Sequence, residues 1–126
     1  MKYAVALAVA AFAVGLAGSA AAADACFRTN DMRNHTIVDD HTLYVAVGGK
    51  EVWRLEMKGS CLAGVTSSDP LVIKTTASTG MVCKALDLDL SVKHGGAHGI
   101  ASPCIVDKVV KLTPAETAAI PKNLKP

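Results

Sequence analysis

The chain has 126 residues, with 13 basic and 11 acidic side chains, a formal charge of +2, 51% hydrophobic and only 4% aromatic residues. That length allows one domain with a modest core and leaves no room for a second. The near balance of charge argues against nucleic acid, which draws a concentrated basic surface, and supplies no polybasic patch for an anionic membrane.

Residues 1–23 carry Lys2 near the start, an apolar run from Ala4 to Ala17, and small residues after it. This is the layout of a secretory signal peptide, and the run falls short of the roughly 20 residues a membrane span needs. The small-x-small rule permits cleavage after Ala23 or after Ala25. Asp24 stands where a lipobox wants a small uncharged residue, which argues against a lipid anchor on Cys26. Removal of the leader leaves residues 24–126 as a single periplasmic or secreted domain with no transmembrane segment.

Cys26-Phe27-Arg28 reads as a strand stub, residues 29–34 as a polar connection, and residues 35–38 as a short strand ending at the Asp39-Asp40 turn. A β-hairpin follows. Alternation puts Leu43, Val45 and Val47 on one face of its first strand and Trp53, Leu55 and Met57 on one face of its second, with Tyr44, Ala46, Val52, Arg54, Glu56 and Lys58 on the other side. A two-residue Gly48-Gly49 turn would set the apolar face of one strand opposite the charged face of the other. An odd loop is needed. A loop of Val47, Gly48 and Gly49 with Gly49 left-handed provides it and sets Leu43 opposite Trp53. Trp53, in phase with Leu55, belongs to the core.

Residues 62–70 form a loop, residues 71–76 a β-branched strand, and residues 77–80 a turn toward Met81-Val82-Cys83. Leu86, Leu88, Leu90 and Val92 then alternate with Asp87, Asp89, Ser91 and Lys93, the pattern of a half-buried strand. In the strand from Cys104 to Leu112 the apolar residues break strict alternation, and a bulge near Asp107-Lys108 restores the phase. Thr113, Pro114 and Glu116 make a helix start with cap, first-turn proline and capping-box acid, so a short helix is expected to about Ala119, ended by Pro121 and followed by a frayed lysine-rich tail. Six or seven short strands with one late helix predict an all-β domain, a small antiparallel β-barrel or a compact sandwich.

The four cysteines, Cys26, Cys61, Cys83 and Cys104, all follow the leader and contain no CxxC pair, so they read as two disulfides rather than a zinc or redox site. Of the connectivities four cysteines allow, the nested one, Cys26 with Cys104 and Cys61 with Cys83, ties the first strand to the last.

No residue is assigned a catalytic role. No Gly-x-Ser-x-Gly elbow is present, and Ser60, Ser67, Ser68 and Ser102 have no identifiable base. The sharpest chemical alternative is a copper, nickel or zinc site built from His94 and His98, with His35 or His41 added. On a helix His-x-x-x-His would fix ligand geometry, but Gly95, Gly96 and Gly99 make that stretch a loop. Asp87 and Asp89, with Asp39 or Asp40, are a weaker calcium candidate than the wet face of a strand. Asn34-His35-Thr36 matches a glycosylation acceptor, which matters in a eukaryotic secretory pathway.

Cys26-Phe27, Val38-Asp39-Asp40 before Leu43, Leu55 before Gly59-Ser60-Cys61-Leu62, Val82-Cys83, and Cys104-Ile105 before Val109, Leu112 and Thr113 together resemble a family of small exported bacterial four-cysteine proteins classed as a domain of unknown function. The family carries an Asp closer behind the third cysteine than Asp87 stands here. The resemblance implies export and paired cysteines and transfers no catalytic residue. The function expected is therefore a non-catalytic binding or envelope-associated module, whose partner would be an envelope protein or a small ligand.

Overall fold

A computed structural model describes residues 25–126, so the leader and its cleavage after Ala23 lie outside the described residues. The strands are β1 (Phe27–Arg28), β2 (Met32–Ile37), β3 (Thr42–Val47), β4 (Glu51–Lys58), β5 (Leu71–Thr75), β6 (Met81–Val82), β7 (Leu88–Lys93) and β8 (Ala101–Lys111), followed by helix α1 (Pro114–Ala119). Six of them form an antiparallel half-barrel sheet in the order β2-β3-β4-β8-β7-β5, and β1 pairs with β6 as a separate ribbon. The expected all-β class with two disulfides and a short C-terminal helix is what the chain forms.

The hairpin buries Leu43, Val45, Val47, Trp53, Leu55 and Met57 together, as alternation requires. Its loop lies one residue later than expected. Val47 pairs with Glu51, Val45 with Trp53 and Leu43 with Leu55, so the loop is Gly48-Gly49-Lys50, and it is Gly48 that takes the left-handed conformation at φ 61°. The cause is β2, which pairs Met32 with Val47, together with the Asp31 carbonyl just before it, which accepts the Gly48 amide at 2.8 Å and holds Val47 in the strand. That same pairing makes β2 begin at Met32, inside the stretch expected to be a connection.

β8 carries the expected bulge. Glu56 faces Lys108 and Met57 faces Val106, which leaves Asp107 as the extra residue and turns Val109 inward while Leu112 turns outward. The N-terminal part of β8 pairs with β7 and the C-terminal part with β4, so this one strand joins the two halves of the sheet. β7 buries Leu88, Leu90 and Val92, but Leu86 does not belong to it. Ala85–Asp87 is a 3-10 turn in which Asp87 Oδ2 accepts the Cys83 amide at 3.0 Å and the Lys84 amide at 3.1 Å, and Leu86 is left 79% exposed.

The disulfides are Cys26–Cys83 and Cys61–Cys104, which corrects the nested pairing. β6 pairs with β1, Phe27 opposite Val82, so the next step outward along that ladder sets Cys26 opposite Cys83. Phe27 and Val82 are both buried, and the Phe27 ring lies 4.8 Å from that of Trp53. The small ribbon thus packs on the main core through Phe27 and Val82, and its disulfide ties β1 to β6.

The C-terminal segment builds a second core on the outer face of the sheet. Val52, Leu112 and Ile120 are buried together, with Tyr44 and Leu124 packed against them. α1 has the expected capping box: Thr113 Oγ1 accepts the Glu116 amide at 3.1 Å, and Glu116 Oε2 accepts the Thr113 amide at 2.7 Å. The tail is not frayed. Lys122–Leu124 closes a 3-10 turn because Leu124 has an apolar surface to rest on.

Candidate functional site

Two regions gather polar chemistry: the loop 59–70, which bonds to the edge strand β2 and to the loop between β7 and β8, and the outer face of β3, β4 and β8 beside α1.

The loop is fastened at several points. Leu62 and Val65 are buried in the core, Cys61 is bonded to Cys104, and the Ile37 amide donates to Ser67 Oγ at 3.0 Å. The two histidines nearest the loop hold its ends. His41 Nδ1–H donates to the Gly59 carbonyl at 2.6 Å and His35 Nε2–H donates to the Asp69 carbonyl at 3.1 Å. A carbonyl can only accept, so each of those nitrogens carries the proton. Burial pushes the His35 pKa below its ordinary value against the opposing pull of its bond to the Asp69 backbone and of the Asp69 charge. An edge strand covered in this way presents fewer open backbone groups to another chain.

Asp69 is the polar centre of this loop, only 9% exposed. Its carboxylate accepts the Thr66 amide at 2.8 Å, Thr66 Oγ1 at 3.1 Å and the Gly96 amide at 3.1 Å. The Thr66 amide above all, with help from the Thr66 hydroxyl and the Gly96 and Gly95 amides, holds its pKa below the usual carboxylate value. Gly95 and Gly96, at φ 83° and 84°, adopt the left-handed conformation in the loop between β7 and β8 that offers these amides. A Cβ on Gly99 would collide with the His94 carbonyl, so the loop closes too tightly for another residue there. The glycines that exclude a helix therefore serve to anchor this loop to Asp69.

The histidines are consequently divided. His94 and His98 sit exposed in the β7–β8 loop, His35 on β2 and His41 before β3. Among the described residues no group of three or more His, Cys, Asp or Glu comes together to hold a metal ion. For the calcium candidates, Asp87 is engaged with backbone amides in its own turn, and Asp39 Oδ1 accepts the His41 amide at 2.8 Å. Neither was visible as a local bond in the alternation that put Asp87 and Asp89 on one strand face.

On the outer face, α1 stands over Leu112 with a cleft on each side. One, of about 260 Å³, lies between Tyr44, Arg54, Glu116 and Ile120. The other, of about 450 Å³, lies between the β3–β4 loop and the helix, with Leu112, Pro114 and Ala118 as apolar lining and Lys50, Lys111, Lys125 and Glu51 around them. Lys111 Nζ contacts Glu51 Oε1 at 2.6 Å, and this ammonium is the main reason the Glu51 pKa lies below the ordinary carboxylate value. Arg54, Glu56 and Lys108 continue the charged face at 2.8 and 3.3 Å, and Lys58 faces Asp107 at 3.7 Å. These exposed pairs add little stability but fix a defined charge pattern. Residues 50, 112, 118 and 125 are too far apart in sequence for spacing to have joined them.

No family model, curated protein or solved structure matches the chain. The two disulfides point to an oxidising, non-cytoplasmic location. Among the described residues no helix is long and apolar enough to cross a membrane.

Proposed function

We propose that the chain is an exported binding module, periplasmic or secreted, that acts through the outer face of β3, β4 and β8 beside α1 and not through a catalytic centre. The observation that carries this reading is the pair of clefts around α1, set on a sheet whose opposite face is filled by the core. The cysteines support it as well. All four are consumed in disulfides, which removes them as nucleophiles and leaves the Cys26 thiol unavailable for a lipid anchor. His35 and His41 are engaged with backbone carbonyls, where they fasten a loop. The leader and the four-cysteine pattern, which resembles that of small exported bacterial proteins, support export.

The test is affinity capture from an envelope extract, using the protein purified in its oxidised form and, as the control, a Tyr44→Ala, Ala118→Arg variant that alters the lining of both clefts. Retention of a specific partner or small ligand by the parent protein, lost in the variant, is the expected result. A specific turnover found in a broad hydrolase screen, abolished by one substitution, overturns the reading.

A further inference from the structure

We propose that the larger cleft beside α1 binds a small amphipathic carboxylate, a medium-chain fatty acid anion being the simplest example. This rests on the binding-module reading and names its ligand class.

The argument is one of charge and shape. Leu112, Pro114 and Ala118 give the cleft an apolar lining, and three lysines face one acid, Glu51. Lys111 is already neutralised by Glu51 at 2.6 Å. Lys50 and Lys125 are exposed and, among the described residues, have no carboxylate within ion-pair distance. The cleft therefore offers two uncompensated cations above an apolar surface, a combination that favours a ligand with one acidic head and one apolar tail over a purely apolar or purely ionic one. Its volume of about 450 Å³ has room for a chain of this kind. The smaller cleft has the opposite balance, because there Arg54 is shared between Glu56 and the field of Glu116.

The experiment is an amide chemical-shift titration of the oxidised protein with decanoate, with decanol as the uncharged tail and acetate as the tailless head. Decanoate is expected to shift the amides of Lys50, Thr117, Ala118 and Lys125 saturably, with decanol and acetate each about tenfold weaker or more. A Lys50→Glu, Lys125→Glu variant should bind decanoate about tenfold less tightly, and Ala118→Trp should block it while the Trp53 indole signal of the main core stays in place. Absence of saturable shifts, shifts centred instead on Leu86 and Ile105, or undiminished binding in the charge-reversed variant overturns the proposal. Flotation with phosphatidylglycerol vesicles that depends on the same lysines also overturns it, because it reassigns the cleft to a membrane surface. Capture of a protein partner does not depend on decanoate, so a failed titration removes this ligand class and leaves the binding-module reading standing. A catalytic turnover would do the reverse.

Discussion

The ring of Phe27 lies 4.8 Å from that of Trp53, tilted by 58°, although the two residues belong to separate sheets. This contact joins the β1–β6 ribbon to the main core. Truncation of Phe27 to Ala should destabilise the fold by about 3–5 kcal/mol, in the range for a buried aromatic side chain. Urea unfolding followed by Trp53 fluorescence measures it, and a red-shifted native emission is expected as water reaches the indole.

The disulfides span 57 and 43 residues in sequence. On the chain-entropy argument each contributes about 4 kcal/mol through the unfolded state, and the two differ by only about 0.3 kcal/mol. A Cys26→Ala, Cys83→Ala variant and a Cys61→Ala, Cys104→Ala variant should therefore lose similar stability. Denaturation of the two variants side by side provides the comparison; the nested pairing would have made the losses differ by about 1 kcal/mol.

Burial lowers the His35 pKa from 6.5, so between that value and the lower folded one the unfolded chain holds more protons than the native protein. The contribution of His35 is fully present above about 6.5 and is lost as pH falls through the window below it. Denaturation midpoints at a series of pH values should show this decline, and His35→Gln, which keeps a donor for the Asp69 carbonyl, should flatten it.

Asp69→Ala should release both loops that its carboxylate ties. Hydrogen exchange is the direct measurement, with the largest gains in exchange rate expected at the amides of Thr66 and Gly96 and little change in β3 or β4.

Thr113→Ala removes the cap of α1 and should cost about 1 kcal/mol. The loss should appear in the amide signals of Ala118, Ile120 and Leu124 before it reaches Leu43 or Leu55.

What the sequence made legible was local. The alternation in β3, β4 and β7, the bulge at Asp107 and the capping box of α1 each depend on residues within a few positions of one another, and each stands where those residues placed it. The errors came from partners distant in sequence. β2 shifted the hairpin loop by holding Val47, and β1 claimed β6 and with it the pairing of Cys26. Leu86 extended the alternation of β7 in sequence, but Asp87 satisfied the Cys83 and Lys84 amides and bent the chain away. The bonds of His35 and His41 to the Asp69 and Gly59 carbonyls are likewise contacts that sequence spacing does not reveal. The α1 clefts were hidden for the same reason, since the helix was foreseen but the Val52–Leu112–Ile120 surface beneath it was not.

Non-reducing peptide mapping of protein taken from the periplasmic or secreted fraction tests both the crossing disulfides and the proposed export. Cleavage at Lys and Arg separates all four cysteines. The expected result is a Cys26 peptide linked to the Cys83 peptide, a Cys61 peptide linked to the Cys104 peptide, and no free thiol. Linkage of Cys26 to Cys104 or to Cys61, free thiols, or recovery of the protein only from the cytoplasm would contradict it.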